Sequence, residues 1–252
     1  YPMTVVRRLA RNFGDLRGVD IAFLSDLPAA AGMSSSSAFM VGTYLVLAAR
    51  NDLHERVIYR RHIRENLELA AYLGTVENGQ SFGELTGDRG VGTFGGSEDH
   101  TAILCSEPGQ LGQFAYCPAR LERRIELPED YIFAVGFCGV VAEKTGAAQD
   151  LYNRAALQVR AIVEAWRAAT GGDEVYLADV LAAEPDAGAR LAAILAAVSG
   201  AAYSAEELAQ RLRHFLIEDG QIIDAASGAL ASGDIAGFAA QVRHSQRMGA
   251  EV

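Results

Sequence analysis

The chain has 252 residues, half of them hydrophobic and 21% charged, with a formal net charge of −10. That length and composition allow a sizeable core in one large domain or two small ones, and the acidic balance excludes general nucleic-acid binding, which needs a basic face. No apolar run reaches the ~18–20 residues of a membrane-spanning helix, so neither nucleic acid nor membrane is an expected partner.

The opening "YPMTVVRRLARNFG" carries no apolar stretch behind its basic residues and does not read as a signal peptide. "VDIAFLSDLP" (19–28) alternates apolar and polar residues up to a Pro, which predicts a strand leaving into a loop. Residues 36–49, "SSAFMVGTYLVLAA", are apolar nearly all round and predict a buried helix. Residues 54–73 show helical periodicity with a charged outer face, and a Gly-rich stretch follows over 83–100. "TAILCSEPGQLGQFAYCP" (101–118) predicts two strands about a Pro-Gly turn, and "YIFAVGFCG" (131–139) a further apolar strand. From about residue 146 the pattern is mostly helical, with a capping box at Ser204 and Glu207 and a helix starting after an Asp N-cap within 233–248. The charged, Pro-containing stretch "ARLERRIELPED" (119–130) marks the expected boundary between domains 1–128 and 129–252.

Cys105, Cys117 and Cys138 lie in apolar surroundings without metal spacing, and read as buried thiols of a reducing, cytoplasmic compartment. The five histidines form no metal pattern: His54 and His62 read as surface residues, and Trp166, at helical spacing with Ile162 and Val163, as core.

The informative stretch is "DLPAAAGMSSSSAF" (26–39). A loop of small residues before a helix leaves backbone N–H groups at the helix N-terminus, where the macrodipole places ~half a positive charge; that end binds anions. Gly32 lets the backbone turn and approach a ligand, and the hydroxyls of Ser34, Ser35, Ser36 and Ser37 can donate to phosphate oxygens or bind a hard cation. There is no Gly-Lys-Ser/Thr, so this is not a Walker-type loop. Ser is also a favoured N-cap, and a capped helix after a flexible turn is the alternative reading.

The order of residues "PAAAGMSSSSA" resembles the ATP-binding motif Pro-x-x-x-Gly-Leu-x-Ser-Ser-Ala/Ser of the GHMP kinases, the superfamily of galactokinase, homoserine kinase, mevalonate kinase and phosphomevalonate kinase. Pro28, Gly32, Ser35 and Ser36 match, and Met33 stands for the Leu. "GGSEDHTAIL" (95–104) is similar to the galactokinase segment Gly-x-x-Asp-Gln: Gly96 and Asp99 fall on matching positions, with His100 in place of the Gln. "VENGQSF" (76–82) resembles the segment whose Glu binds Mg²⁺, which implies Glu77 as that ligand together with the Ser36 hydroxyl. "AEKTGAAQDLYNRAALQ" (142–158) resembles the stretch with a Lys or Arg followed by Ser-x-Tyr-Asn-x-Arg-Arg, retaining Tyr152, Asn153 and Lys144; Tyr152 would lie near the sugar with Gly96 and Asp99.

The resemblance implies an α+β, two-domain GHMP kinase fold, with an N-terminal ribosomal-protein-S5-like β/α domain and a largely helical, ferredoxin-like C-terminal domain. It places the family's N-terminal signature ahead of residue 1 and its Gly-rich C-terminal motif beyond residue 252, so the chain is expected to be part of a longer product. The implied activity is ATP- and Mg²⁺-dependent phosphorylation of a sugar hydroxyl, galactokinase-like at the anomeric position, with Asp99 as the catalytic carboxylate and Pro28 and Gly32–Ser37 on the ATP phosphates. Another acceptor within the superfamily (a heptose phosphate, an amino sugar, an isoprenoid precursor) and a non-catalytic sugar and nucleotide sensor are the alternatives. Read without the resemblance, Asp99 would be an N-cap or Asx-turn residue, Glu77 a solvated charge at a helix end and Tyr152 a half-buried packing residue. The oligomeric state, monomer or homodimer, is not legible.

Overall fold

Residues 2–13 form the first helix of the computed structural model, α1 (Pro2–Phe13), with Pro2 in its first turn and Gly14 ending it at φ 83°. Val5, Leu9 and Phe13 fall four apart on one face and are buried. Between them lies Arg8, fully buried. Its guanidinium donates to Asn12 Oδ1 at 2.8 Å, Thr75 Oγ1 at 3.2 Å and the Gln80 carbonyl at 2.7 Å, and stacks over the Tyr72 ring. A buried cation is tolerated only when its donors are satisfied. Here the acceptors are backbone and neutral side chains around the end of another helix.

The structure describes residues 1–28, 31–136, 139–140, 149–198 and 202–250. They divide into two compact units, 1–124 with 129–153 and 125–128 with 154–252.

In the first unit, α2 (Ser35–Arg50) forms where the apolar run predicted it, and Met40, Val41, Tyr44 and Leu47 enter the core. The helix expected over 54–73 is broken. A short turn at Leu53–Glu55 leads to α3 (Val57–His62) and then to α4 (Asn66–Asn78). Ile63 enters the core in an extended conformation between the two helices, so the periodic pattern runs across a bend that periodicity alone does not register. Leu69, Tyr72, Leu73 and Val76 of α4 complete the core against α1 and α2.

Three expected strands are corrected. Residues 19–28 form no strand: Val19, Phe23, Leu24 and Leu27 are exposed, and Phe23 packs edge-on against Phe39. Residues 131–136 likewise carry no regular structure, and 137–138 fall outside the described residues. Both segments have strand-like side chains, but a strand requires a hydrogen-bonded neighbour; the one sheet among the described residues is the pair β1 (Gln110–Ala115) and β2 (Arg120–Glu126). The segment expected as the first strand of 101–118 is a helix, α5 (Glu98–Cys105). Glu98 and Asp99 in its first turn suit the positive end of the dipole, and α5 packs along α4, whose surface it covers. Cys117, expected buried, is exposed, and Cys105 is partly buried.

The packing of α5 on α4 depends on Gly74. A β-carbon there would lie 2.9 Å from Ser97 Cα and 3.2 Å from the Gly96 carbonyl. The backbone just before α5 therefore rests directly on α4. Beyond it, Gly79 ends α4 in the left-handed region at φ 88°, and the Gly-rich chain folds back so that the Val91 N–H donates to the Glu77 carbonyl at 2.8 Å.

Among its described residues 154–198 and 202–250, the second unit carries the helices α6 (Gln149–Thr170, whose first five residues belong to the first unit), α7 (Leu177–Ala182), α8 (Ala187–Ala196), α9 (Ala205–Ile217), α10 (Ile223–Ala231) and α11 (Ile235–Ala250). Ile162, Val163, Trp166, Leu177, Leu191, Leu195, Leu208 and Leu212 form its core, with Trp166 buried as expected. The capping box is present, with Ser204 Oγ accepting from the Glu207 N–H at 3.2 Å and Glu207 accepting from the Ser204 N–H at 2.8 Å. Asp234 accepts from the Gly237 N–H at 2.9 Å at the start of α11. Many helices with one small sheet are compatible with the α+β class.

Two stability outcomes follow. Gly74→Ala gains up to ~1 kcal/mol of helix propensity but drives a methyl into backbone, an overpacking cost of about 1–3 kcal/mol. A net drop in the denaturant midpoint of the first unit is expected, and an unchanged or raised midpoint contradicts the close contact. Ser204→Ala removes the α9 cap and is expected to cost ~1 kcal/mol, read by the same unfolding measurement.

Candidate active site

The N-terminus of α2 is built from the four serines. Ser34 is the N-cap, held in the left-handed region at φ 50°, with no side-chain cap bond to the helix; Ser35, Ser36 and Ser37 form the first turn, which contains no acidic residue of its own. First-turn N–H groups have no partner within a helix, so this end presents donors and the positive pole of the dipole. Gly32, at φ 74°, and Met33 are exposed in the loop before it. Pro28 lies on the far side of residues 29–30, which fall outside the described residues.

Two carboxylates meet this helix end. Ser37 Oγ, fully buried, lies 3.3 Å from Glu77 Oε2 and 3.3 Å from Asp99 Oδ2. Glu77 comes from the last turn of α4 and is 8% exposed; Asp99 comes from the first turn of α5 and is half-buried. His100, also fully buried, places Nε2 3.5 Å from Glu77 Oε2. The structure thus brings together three residues that are 40 and 62 positions apart in sequence. A serine hydroxyl has one proton and donates to one carboxylate at a time. Two carboxylates converging on one hydroxyl form a donor set that a hard divalent cation neutralises. Mg²⁺ takes one or two carboxylates and completes its octahedron with water and phosphate oxygens. No group of three His, Cys, Asp or Glu suited to a metal occurs among the described residues, so a cation at this point would depend on such non-protein oxygens.

The segment before Asp99 is held from two sides. Asn78, next to Glu77 on α4, donates from Nδ2 to the Gly95 carbonyl at 2.9 Å. Asn153, at the start of α6, accepts from the Phe94 N–H at 2.9 Å and donates to the Gly92 carbonyl at 2.8 Å. The Tyr152 phenol lies over Gly95, where a β-carbon would sit 3.1 Å from its hydroxyl; Tyr152 is 38% exposed. Gly96 is exposed. Lys144 falls outside the described residues.

Pattern reading singled out Glu77, Asp99 and the serine loop. It gave the metal hydroxyl to Ser36, whereas the hydroxyl lying between the carboxylates is that of Ser37, one position later on the same turn. It missed the contact of His100 with Glu77 and the clamping roles of Asn78 and Asn153. The one available signal was that Asn78 directly follows Glu77 and Asn153 directly follows Tyr152. A cavity of about 380 Å³, lined by Tyr59, Ile63, Arg64 and Leu69, opens beside the first residues of α4, the opposite end of that helix from Glu77.

No curated protein and no solved structure matches the chain. The family model for the GHMP kinases N terminal domain matches residues 1–83, about a third of the chain. The matched region contains the serine loop, α2 and Glu77, and it ends before Asp99. This match supports the GHMP kinase superfamily and, with it, a small-molecule kinase that uses ATP.

Proposed function

We propose that the chain is an ATP- and Mg²⁺-dependent kinase that transfers the γ-phosphate to a sugar hydroxyl, galactokinase-like at the anomeric position. One observation carries the reading: the buried Ser37 hydroxyl, at the N-terminus of the helix that follows the serine loop, lies 3.3 Å from both Glu77 and Asp99. Phosphoryl transfer needs alignment and charge neutralisation more than covalent chemistry, and this helix end supplies both kinds of group. Its N–H groups and the hydroxyls of Ser34–Ser36 hold phosphate oxygens. Glu77, with a serine hydroxyl of the first turn, would hold Mg²⁺, which would supply positive charge to offset that of the phosphates. Asp99, on the open side of the pair, orients the acceptor hydroxyl and takes its proton. Gly96 and Tyr152 border the acceptor.

The same reading assigns the first unit to the S5-like half of a GHMP kinase and the helical second unit to its C-terminal half. No described helix is long and apolar enough to cross a membrane. Together with the thiols of Cys105 and Cys117, this supports a cytoplasmic setting. A second reading, another acceptor within the superfamily, is favoured by His100: it replaces the Gln of the galactokinase segment and is buried against Glu77.

A coupled ADP-release assay over free hexoses, amino sugars and sugar phosphates tests the proposal, which predicts turnover with one acceptor class. ADP release with no acceptor in the panel contradicts it. Within that assay, replacing Ser35 and Ser36 together by Ala is expected to weaken Mg·ATP binding, at ~1.5–3 kcal/mol per charge-assisted hydrogen bond. Unchanged affinity in the folded double variant removes the phosphate role. Glu77→Gln keeps the shape and removes the charge, so the Mg²⁺ concentration for half-maximal activity should rise; if it does not move, Glu77 is not the metal ligand. Asp99→Asn is expected to lose about 10²–10⁴-fold in turnover with Mg·ATP affinity nearly kept. Glu98, exposed at the preceding helix position, is the control, and Glu98→Gln should turn over normally. Wild-type turnover by Asp99→Asn, or a dead Glu98→Gln, overturns the assignment.

A further inference from the structure

Among the described residues, Asn153 does something that its neighbours in the motif do not. Its side-chain amide pairs with the backbone of residues 92–94 in both directions, accepting from the Phe94 N–H at 2.9 Å and donating to the Gly92 carbonyl at 2.8 Å. The two bonds flank residue 93, as the N–H and C=O of one residue on a parallel neighbouring strand would, and are supplied here by a side chain. Asn153 is 6% exposed, so the two bonds are shielded from water and costly to leave unmade. Gln149, one helical turn earlier, packs against Gly92, and the Tyr152 phenol covers Gly95. From the opposite side Asn78 holds the Gly95 carbonyl, and Gly74 lets the Gly96 carbonyl and Ser97 rest on α4.

The held segment leads directly into α5. Gly92–Gly96 are followed by Ser97, the N-cap, and Asp99 is the second residue of the helix. A glycine-rich segment has little conformational preference of its own, so its path is set by the groups that grip it. Gly95 and Gly96 are gripped from α4. Gly92 and Phe94, the entry to the segment, are gripped by Asn153.

We propose that Asn153 is a positioning residue for the reaction: by pairing with Gly92 and Phe94 it fixes the loop that carries Asp99 and sets the carboxylate in register with Ser37 and Glu77. This rests on the proposed kinase function for its catalytic consequence, but the clamp itself is a property of the loop and is measured without turnover. The start of α6 thereby becomes part of the active-site scaffold of the first unit.

Two substitutions separate the bonds. Asn153→Asp keeps the acceptor for the Phe94 N–H and sets a carboxylate against the Gly92 carbonyl. Asn153→Ala removes both bonds. Hydrogen exchange on the full chain should show the Phe94 amide accelerated in Asn153→Ala and still protected in Asn153→Asp, with faster exchange over residues 97–101 in Asn153→Ala. In the ADP-release assay both variants should lose about 10–100-fold in kcat, the scale of a misplaced catalytic group, while the KM for Mg·ATP stays within about threefold of wild type because the Asn153 amide bonds to Gly92 and Phe94, on the segment that leads to Asp99. A purely structural role would lower the unfolding midpoint and leave kcat per folded molecule unchanged, and that outcome overturns the proposal. So does wild-type exchange at Phe94 and over 97–101 in Asn153→Ala. If the wild-type chain turns over no acceptor, the kinase reading fails, and the exchange comparison alone then decides whether Asn153 holds the loop.

Discussion

The candidate active site depends on one close approach, the backbone of Gly96 and Ser97 lying on Gly74 of α4. With any side chain at position 74, a β-carbon would fall 2.9 Å from Ser97 Cα, and α5 would have to move outward. Because there is none, α4 and α5 pack with their chemistry at the same end. Glu77, three residues beyond Gly74 on α4, and Asp99, two residues beyond Ser97, then reach the same serine hydroxyl on α2. The contact sets distance, and distance decides what two carboxylates can do together. Set apart, they would be two solvated charges; here both lie 3.3 Å from one buried hydroxyl.

The first unit spends buried polar groups around this contact. Arg8 satisfies its guanidinium with Asn12, Thr75 and the Gln80 carbonyl, and so ties α1 to the end of α4 just where the chain leaves for the Gly-rich stretch. Arg7 pairs with Asp88 at 2.6 Å further along. Burial by itself would raise the Asp88 carboxyl, but the Arg7 guanidinium, the Gly90 N–H and the nearby charge of Arg8 together hold it below the usual carboxylate range. The loop between Glu77 and Asp99 is long and rich in glycine, and an untethered loop of that composition would sample many paths. Fixed charges on α1, asparagines on α4 and α6, and the direct bond from Val91 to the Glu77 carbonyl make it follow one.

The helix N-terminus supplies the other half of the site. Four serines place hydroxyls at the N-cap and first turn without adding charge, so the positive pole of α2 is not neutralised from within its own helix. The two carboxylates that approach come from elsewhere and meet it through the Ser37 hydroxyl. The innermost serine, Ser37, is the one that meets the acidic pair.

The sequence by itself determined the apolar helix α2, the capping box of α9 and the buried Trp166, because each of these is set by residues within a turn or two of one another. It also named Glu77 and Asp99, since residue types in a recognisable order survive translation into a string. It misread 19–28, 101–105 and 131–136 as strands: alternating or apolar side chains report burial preference, but a strand exists only if a partner supplies the ladder, and a helix at 98–105 was decided by acidic first-turn residues and the surface of α4. Only the tertiary structure decided that Ser37 is the hydroxyl between the carboxylates, that His100 turns inward to Glu77, and that Asn153 pairs with a loop some 60 residues earlier. These are contacts between segments far apart in the chain. Their geometry is fixed by where glycine permits two backbones to touch, and no local pattern encodes that distance.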